Sequence, residues 1–407
     1  MSKRANGEGS IWFNEKKQLW NAAFTLPSGK KITKASKNEA AVKDWYNEQK
    51  LLIGRGQHVE PSTLALEQWL TIFVETYKKS EVRQRTYERN KSLIYHVEPI
   101  GHIPIQKLTP LHLRELYNYL IDEEGASTET VKKVHNLIKS ALNQAVEEKY
   151  IYTNPAASVK APKVTREEVE IFTQAEVSLL LSKAKQYRLF ASIQLAVTTG
   201  MRLGEVLGVR WKDISLTDGY LQVRKNLQAT NEKGLILESP KTEKGKRKIP
   251  LPPQTIAALK EYKKSWNESR LKYPARKNDE MADLVFVTEK HTPLSPQNFL
   301  KRVWHKIQIM TEFDMNNRVP KPMSEKKTFD KILEECRTQE DWIEFPAKNF
   351  HALRHTYATT LLSNNVPIVD VSRVLGHSRV STTLDIYGHS IPENQRLIAE
   401  KIAEAFQ

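Results

Sequence analysis

The segment from His351 to Tyr387 limits what this chain can fold into more than any other stretch. It reads His351-Ala-Leu-Arg354-His355, then a helix's worth of residues, then Leu375-Gly376-His377-Ser378, then Ser381-Thr-Thr-Leu-Asp-Ile-Tyr387. Two imidazoles, a guanidinium and a phenol thus fall at the ends of expected helices. His351 and Arg354, three apart, share one helical face, about 60° apart around the axis. Leu353, Tyr357 and Leu361 follow at four-residue steps on the other side and are expected in the core. Ile368, Val371, Ser372 and Leu375 suggest a second helix, ended by Gly376 at a position that favours positive φ. His377 then projects just beyond a helix end.

Such a set suits attack on a phosphodiester. A free phenol titrates near 10 and is a weak nucleophile at neutral pH, so it needs cations and a proton acceptor nearby. The phosphate gains charge toward its transition state, where fixed cations stabilise it most. Arginine fits because its planar fork binds phosphate oxygens in pairs and stays charged.

Composition agrees. The chain has 407 residues, enough for two or three domains. Lys and Arg number 63 against 48 Asp and Glu, a net charge of +15, which favours a polyanionic partner such as nucleic acid. The single cysteine, Cys336, excludes an internal disulfide and a cysteine-based zinc site. No apolar run approaches membrane-spanning length, and Met1 to Gly9 lacks a signal peptide's apolar region. A soluble, cytoplasmic protein is expected.

Three domains are expected, at 1–55, 56–155 and 165–407. In the first, Ser10–Asn14, Leu19–Leu26 and Lys30–Ala35 read as strands, and Ser36 to Glu39 as a capping box opening a helix to Ile53. Trp20, Ala22, Phe24 and Leu26 would pack on that helix, leaving Asn21, Ala23 and Thr25 on a free face. With eleven Lys/Arg against five Asp/Glu, that sheet either lies in a major groove or is simply solvated. Lys30, Lys31 and Lys34 are its candidate DNA contacts.

Residues 62–153 read as helical. Leu66, Trp69, Leu70, Phe73 and Tyr77 keep a 3/4 spacing, Leu111 to Ile121 makes another helix, and Val131, Val134, Ile138, Ala141 and Ala145 mark a third. Lys78, Lys79, Arg83, Arg85, Arg89 and Lys91 either line a duplex or form a solvated face. Linkers are read at 54–61 and 154–164.

In the last domain Thr173 to Glu176 forms a capping box. Thr198-Thr-Gly200 interrupts an apolar helix before Met201-Arg202-Leu-Gly-Glu205, where the Glu205 carboxylate can orient Arg202 or form only a surface pair. Gly219–Arg224, Leu235–Ser239 and Lys246–Leu251 read as antiparallel strands, the last two joined by a turn carrying Lys241 and Lys244. Arg210 and Lys212 read as surface or phosphate contacts. A helix is expected from Asn298 to Met310, and Thr311 to Phe345 as a surface excursion or helical insert. Asn394 to Phe406 reads as a terminal helix.

These residues together carry a resemblance. The chain resembles the tyrosine recombinases, and within them the integrases of temperate phages and conjugative transposons. Thr199-Gly-Met-Arg202-Leu-Gly-Glu205-Val is similar to their first arginine box, and Lys241, with its Arg247-Lys-Ile-Pro250-Leu exit, to their hairpin lysine. His351-Ala-Leu-Arg354-His355, Leu375-Gly-His377-Ser and Tyr387 match the remaining positions, all in order over roughly 170–390. Residues 1–55 resemble the family's arm-site-binding domain and 56–155 its helical core-binding domain.

The resemblance implies a mainly α, multidomain fold: a small N-terminal three-stranded sheet plus helix, a helical bundle, and a mainly helical catalytic domain with a small antiparallel sheet, of the type shared with type IB topoisomerases. Core-binding and catalytic domains would clamp a duplex. Tyr387 would attack the scissile phosphate, giving a 3′-phosphotyrosine and a free 5′-hydroxyl. Arg202, Arg354 and His377 would hold the non-bridging oxygens, Lys241 would protonate the 5′-oxygen, and His351 would assist at the phenol. Lys244 and Lys246 compete with Lys241 for its role, and His355 is read as structural or supporting. No metal or other cofactor is required, because the covalent link conserves the phosphodiester's energy; His351 and His355, at i and i+4, lack the acidic residue of a metal motif such as His-Glu-x-x-His. The implied partners are double-stranded DNA at core and arm sites, three further protomers, and accessory excisionase and DNA-bending proteins. A relaxing enzyme of the topoisomerase IB kind and a non-catalytic DNA-binding regulator are the alternatives.

Overall fold

The computed structural model describes residues 9–25, 29, 31–54, 59, 61–164, 169–240, 242–274, 279–318 and 329–388. Leu26, Lys30, Lys241 and the expected terminal helix at 394–406 lie outside the described residues. The fold is mostly helical with small antiparallel sheets, and the chain divides into two compact units, 1–166 and 167–407. No described helix is long and apolar enough to cross a membrane.

In the first unit, β1 (Ser10–Asn14), β2 (Leu19–Thr25) and β3 (Lys31–Ser36) form an antiparallel sheet in that order. Phe24 stacks on Tyr46 of the helix Glu39–Gly54, with ring centroids 4.6 Å apart. That contact fixes which face is covered. Asn38, rather than the expected Ser36–Glu39 box, caps the helix: its Oδ1 accepts from the Ala40 amide at 2.9 Å. Ala23, expected on the free face, is buried; it is a lone methyl on the central strand, between Ser10 and Thr33 across the ladder.

The following bundle is built from Leu66–Ile72, Gln84–Ile94, Pro110–Asp122 and Thr128–Glu147. Leu66–Ile72 runs on into a π-helical segment, Phe73–Lys78. Leu66, Trp69, Leu70 and Phe73 meet Val131, Val134, Ile138, Ala141 and Ala145 in one core, as their spacing predicts. The Trp69 indole N–H donates to the Ala141 carbonyl at 2.8 Å, so the ring enters the core with its polar atom paired. Thr109 and Ser127 cap the last two helices through their hydroxyls.

The second unit carries the larger core. Thr173 and Glu176 form the expected reciprocal capping box at 3.2 and 2.8 Å. The strands differ from expectation. β5 (Tyr220–Val223) pairs with β8 (Arg247–Pro250) and with the short β4 (Ile214–Ser215). The segment expected at Leu235–Ser239 is β7 (Gly234–Glu238). It pairs instead with β6 (Asn226–Thr230), which the sequence pattern did not mark. Gly234, at φ 65°, supplies the turn that lets β7 fold back on β6.

The described residues of the Thr311–Phe345 stretch include helical segments. Pro296–Phe299, a π-segment Leu300–Trp304 and His305–Met315 run consecutively. Leu333 of the helix Phe329–Arg337 then packs on Ile309 and Phe313. Beneath it the buried Glu312 carboxylate accepts from Arg337 at 2.8 and 2.7 Å and from the Trp342 indole at 2.8 Å. A buried charge needs that many donors. Arg210, expected at the surface, is mostly buried and makes a two-pronged pair with Asp213 at 2.7 and 3.2 Å.

Candidate active site

Arg354 lies in the first turn of the helix Ala352–Ser363, and its side chain is 2% exposed. Two chain breaks orient it. Phe190–Thr199 ends at Gly200, at φ 61°, and Gly200 offers its carbonyl to Arg354 Nη1 at 2.8 Å. Ile368–Leu375 ends at Gly376, at φ 70°, and Leu375 offers its carbonyl to Nη2 at 2.8 Å. Both glycines occupy left-handed positions that cost other residues energy. At Gly200 a Cβ would also lie 2.4 Å from the Tyr357 ring. Tyr357 is therefore only half-buried core, wedged against that turn.

His377 follows the second break. Its Nε2 lies 2.8 Å from Arg354 Nη2, and its Nδ1 lies 2.8 Å from Thr383 Oγ1. A guanidinium only donates. Nε2 must therefore accept, and Nδ1 carries the proton toward Thr383, which makes the ring neutral. Burial, and then Arg354, hold its pKa down to about 4. Burial, and then Arg202, push the Arg354 guanidinium down to about 9, still charged at neutral pH. Two guanidiniums that repel each other in a buried site are relieved by an arriving anion.

Arg202 caps the short helix Leu203–Leu207 with its side chain 43% exposed, the open cation of the pair. Its Nη1 donates to Glu205 Oε1 at 3.0 Å, and its amide to Oε2 at 3.1 Å. Glu205 is buried, so this is no surface pair. Its far side meets Arg247, whose Nη2 donates to Oε2 at 2.9 Å. Burial raises the Glu205 pKa, but Arg247 and Arg202 outweigh it and hold the carboxyl at about 2.

Tyr387 closes the helix Val380–Tyr387 and is 1% exposed, packed with Ala358, Leu362, Val371 and Leu375. Burial pushes its pKa up to about 12, opposed by Arg354 and then Arg202. The phenol oxygen lies 2.6 Å from His355 Nδ1. Burial, and then Arg354, keep His355 near 4, so the ring is neutral and its Nδ1 accepts the phenol proton in this bond. The His351 ring, expected beside the phenol, meets His355 edge to face at 4.6 Å. A groove of about 950 Å³ opens there, lined in part by Leu203, Lys301, His305, Lys348, His351 and His355. His355 is the residue whose part the sequence underrated. Its one signal was its place at i+4 from His351, which the helix turns toward the following elements.

The hairpin and surface cations fall out differently. Lys244 donates to the Ser378 carbonyl at 3.1 Å, and Lys246 pairs with Glu243 at 2.7 Å. Lys31 stands 5.9 Å from the Trp12 ring. Lys34, three residues on, belongs to the opposite face of β3. Lys78 and Lys79 pair with Glu81 and Glu75 at 2.6 and 3.8 Å, and Lys91 also reaches Glu75 at 3.3 Å. Arg85 is exposed, and Arg83 occupies the N-cap position of the helix Gln84–Ile94 without a side-chain cap.

A buried phenol, one guanidinium at a helix N-cap, another in a helix's first turn, and neutral imidazoles gather here, a set with the make-up of a phosphoryl-transfer centre. The chain belongs to the phage integrase family, the tyrosine recombinases: the family model "Phage integrase family" matches residues 170–394, and "Phage integrase SAM-like domain" matches 66–161. A tyrosine recombinase XerC-like protein of Caldanaerobacter subterraneus subsp. tengcongensis is 32% identical over 81% of this chain and 78% of its own. The ICEBs1 integrase of Bacillus subtilis is 23% identical over 73% and 71%. The Tn1549 transposon integrase, solved with a circular intermediate DNA, shares the fold with a TM-score of 0.66 at 19% identity, over 83% of this chain and 99% of that one. The protein is a site-specific recombinase of the integrase type.

Proposed function

We propose that the protein integrates and excises a mobile element by cutting and rejoining DNA through a 3′-phosphotyrosine at Tyr387. The observation that carries this reading is the phenol at 2.6 Å from a neutral imidazole, within the fields of Arg354 and Arg202. The Tyr387 oxygen bonds to phosphorus as its proton passes to His355 Nδ1, and His351 assists from the adjoining ring. The bond from phosphorus to the 5′-oxygen breaks, and Lys241 supplies the proton that oxygen needs to leave. Arg202 and Arg354 hold the non-bridging oxygens, and His377 joins them once its Nε2 takes up a proton and turns from Arg354 to the phosphate. The choice of Lys241 over Lys244 and Lys246 rests on its match to the family's hairpin lysine. The 5′-hydroxyl of a second duplex reverses the step and exchanges strands, so no ATP is consumed.

In this reading residues 1–55 bind arm sites, with Lys30, Lys31 and Lys34 among the contacts. Residues 56–155 bind the core site with Lys78, Lys79, Arg83 and Arg85, and 165–407 catalyse. Exchange between two duplexes takes four cleavages, hence four protomers, with excisionase and bending proteins setting direction. A DNA substrate nicked beside the cleavage site tests the core of this. Wild-type protein should become covalently attached, and Tyr387→Phe should bind without attaching. Attachment by the Phe variant would overturn the assignment.

A further inference from the structure

Arg247 has no part in the chemistry assigned above, yet it is among the most enclosed charges in the second unit, 7% exposed. It begins β8, just beyond the lysine-bearing turn. Its Nη2 donates to Glu205 Oε2 at 2.9 Å and its Nη1 to Oε1 at 3.3 Å. Nη1 also reaches the Gly245 carbonyl at 3.3 Å, and Nε donates to the Val374 carbonyl. One guanidinium therefore ties the exit of the hairpin, the carboxylate beneath Arg202, and the last turn before Gly376 and His377. A Cβ at residue 376 would lie 2.9 Å from Arg247 Nη1, so glycine is needed there for this approach as well as for its φ.

The charges explain what this does. Glu205 holds Arg202 in place but, alone, would also cancel its charge. A second guanidinium behind the carboxylate restores the balance. Arg202, Glu205, Arg247 and Arg354 sum to +2, whereas without Arg247 they sum to +1. In a buried site that difference is poorly screened.

We propose that Arg247 is a positioning residue for strand cleavage: it keeps the Arg202 charge available to the scissile phosphate and sets the turn that presents His377. This rests on the tyrosine-nucleophile reading above. The test is single-turnover attachment to the nicked substrate, made with either an ordinary scissile phosphate or a methylphosphonate, in which a neutral methyl group replaces one charged oxygen. For wild type the ordinary phosphate gains from the full pocket charge. In Arg247→Met the ratio of the two rates should fall by about tenfold, with DNA affinity within about twofold of wild type. Arg247→Lys should keep the ratio while losing part of the rate, because it keeps the charge but not the fork. The double variant Glu205→Gln/Arg247→Met returns the sum to +2 and buries no lone carboxylate, so its ratio should recover toward wild type. It also serves if Arg247→Met does not fold.

A merely structural role would slow both substrates alike. An unchanged ratio in Arg247→Met overturns the proposal, as does a double variant whose ratio stays well below that of wild type. If wild-type protein itself never attaches, the tyrosine assignment fails and takes this one with it.

Discussion

His355 Nδ1 and Tyr387 Oη stand 2.6 Å apart, joined from helices 32 residues distant in sequence. With the phenol pushed up to about 12 and the imidazole down to about 4, the proton rests on the phenol in the free protein. In the proposed attack it moves as the bond to phosphorus forms. His355→Phe, which keeps a ring but no acceptor, should slow single-turnover attachment by about 10²–10⁴-fold, the usual worth of a positioned base. Filter binding should show DNA affinity retained. Attachment at the wild-type rate would mean that another group takes the proton.

Stability should depend on pH in a defined direction. His355 and His377 sit near 4 when folded, against an ordinary value of 6.5, through burial first and Arg354 second. Between those values the unfolded chain binds protons that the folded chain refuses. Their neutral-ring contribution is complete above about 6.5 and drains away as pH falls toward 4. Thermal melts should show Tm dropping over that window, less steeply in His377→Asn. A wild-type melt flat from 6.5 to 4 would contradict the burial argument.

Gly200→Ala should be damaging out of proportion to its size. The residue sits at φ 61°, and a methyl would press on the Tyr357 ring at 2.4 Å. Strain and clash together should cost about 2–4 kcal/mol. Attachment should fall beyond the loss of folded protein, since the Gly200 carbonyl holds Arg354. Chemical denaturation and attachment assays on the same sample separate the two effects.

The Thr311–Phe345 stretch makes a separate prediction. Arg337→Met removes two of the three side-chain donors to the buried Glu312 carboxylate. Stranding such a charge costs about 3–5 kcal/mol, read as a lower denaturation midpoint. Attachment per folded molecule should be unchanged, because no described contact links this pair to Arg202, Arg354 or Tyr387. Equal loss of activity and stability would support that separation only if the folded fraction accounts for all of it.

The linear pattern carried much of this protein. The 3/4 spacing from Leu66 and from Val131 named a helical core correctly, because helix periodicity is local. The glycines at 200 and 376 announced helix ends, because positive φ is a property of single residues. The residue types of the candidate site were legible for the same reason: phosphate chemistry asks for guanidiniums, imidazoles and a phenol wherever they come from. Tertiary structure alone decided which of them touch. Strand partners, such as β7 with β6 instead of β8, depend on contacts that periodicity does not encode. So does the choice of His355 over His351 at the phenol, since one helical turn separates them and only the docking of Val380–Tyr387 picks between them. Arg247 shows the same limit most sharply. In sequence it is one cation in a basic run, and its burial behind Glu205 exists only because three distant segments close around it.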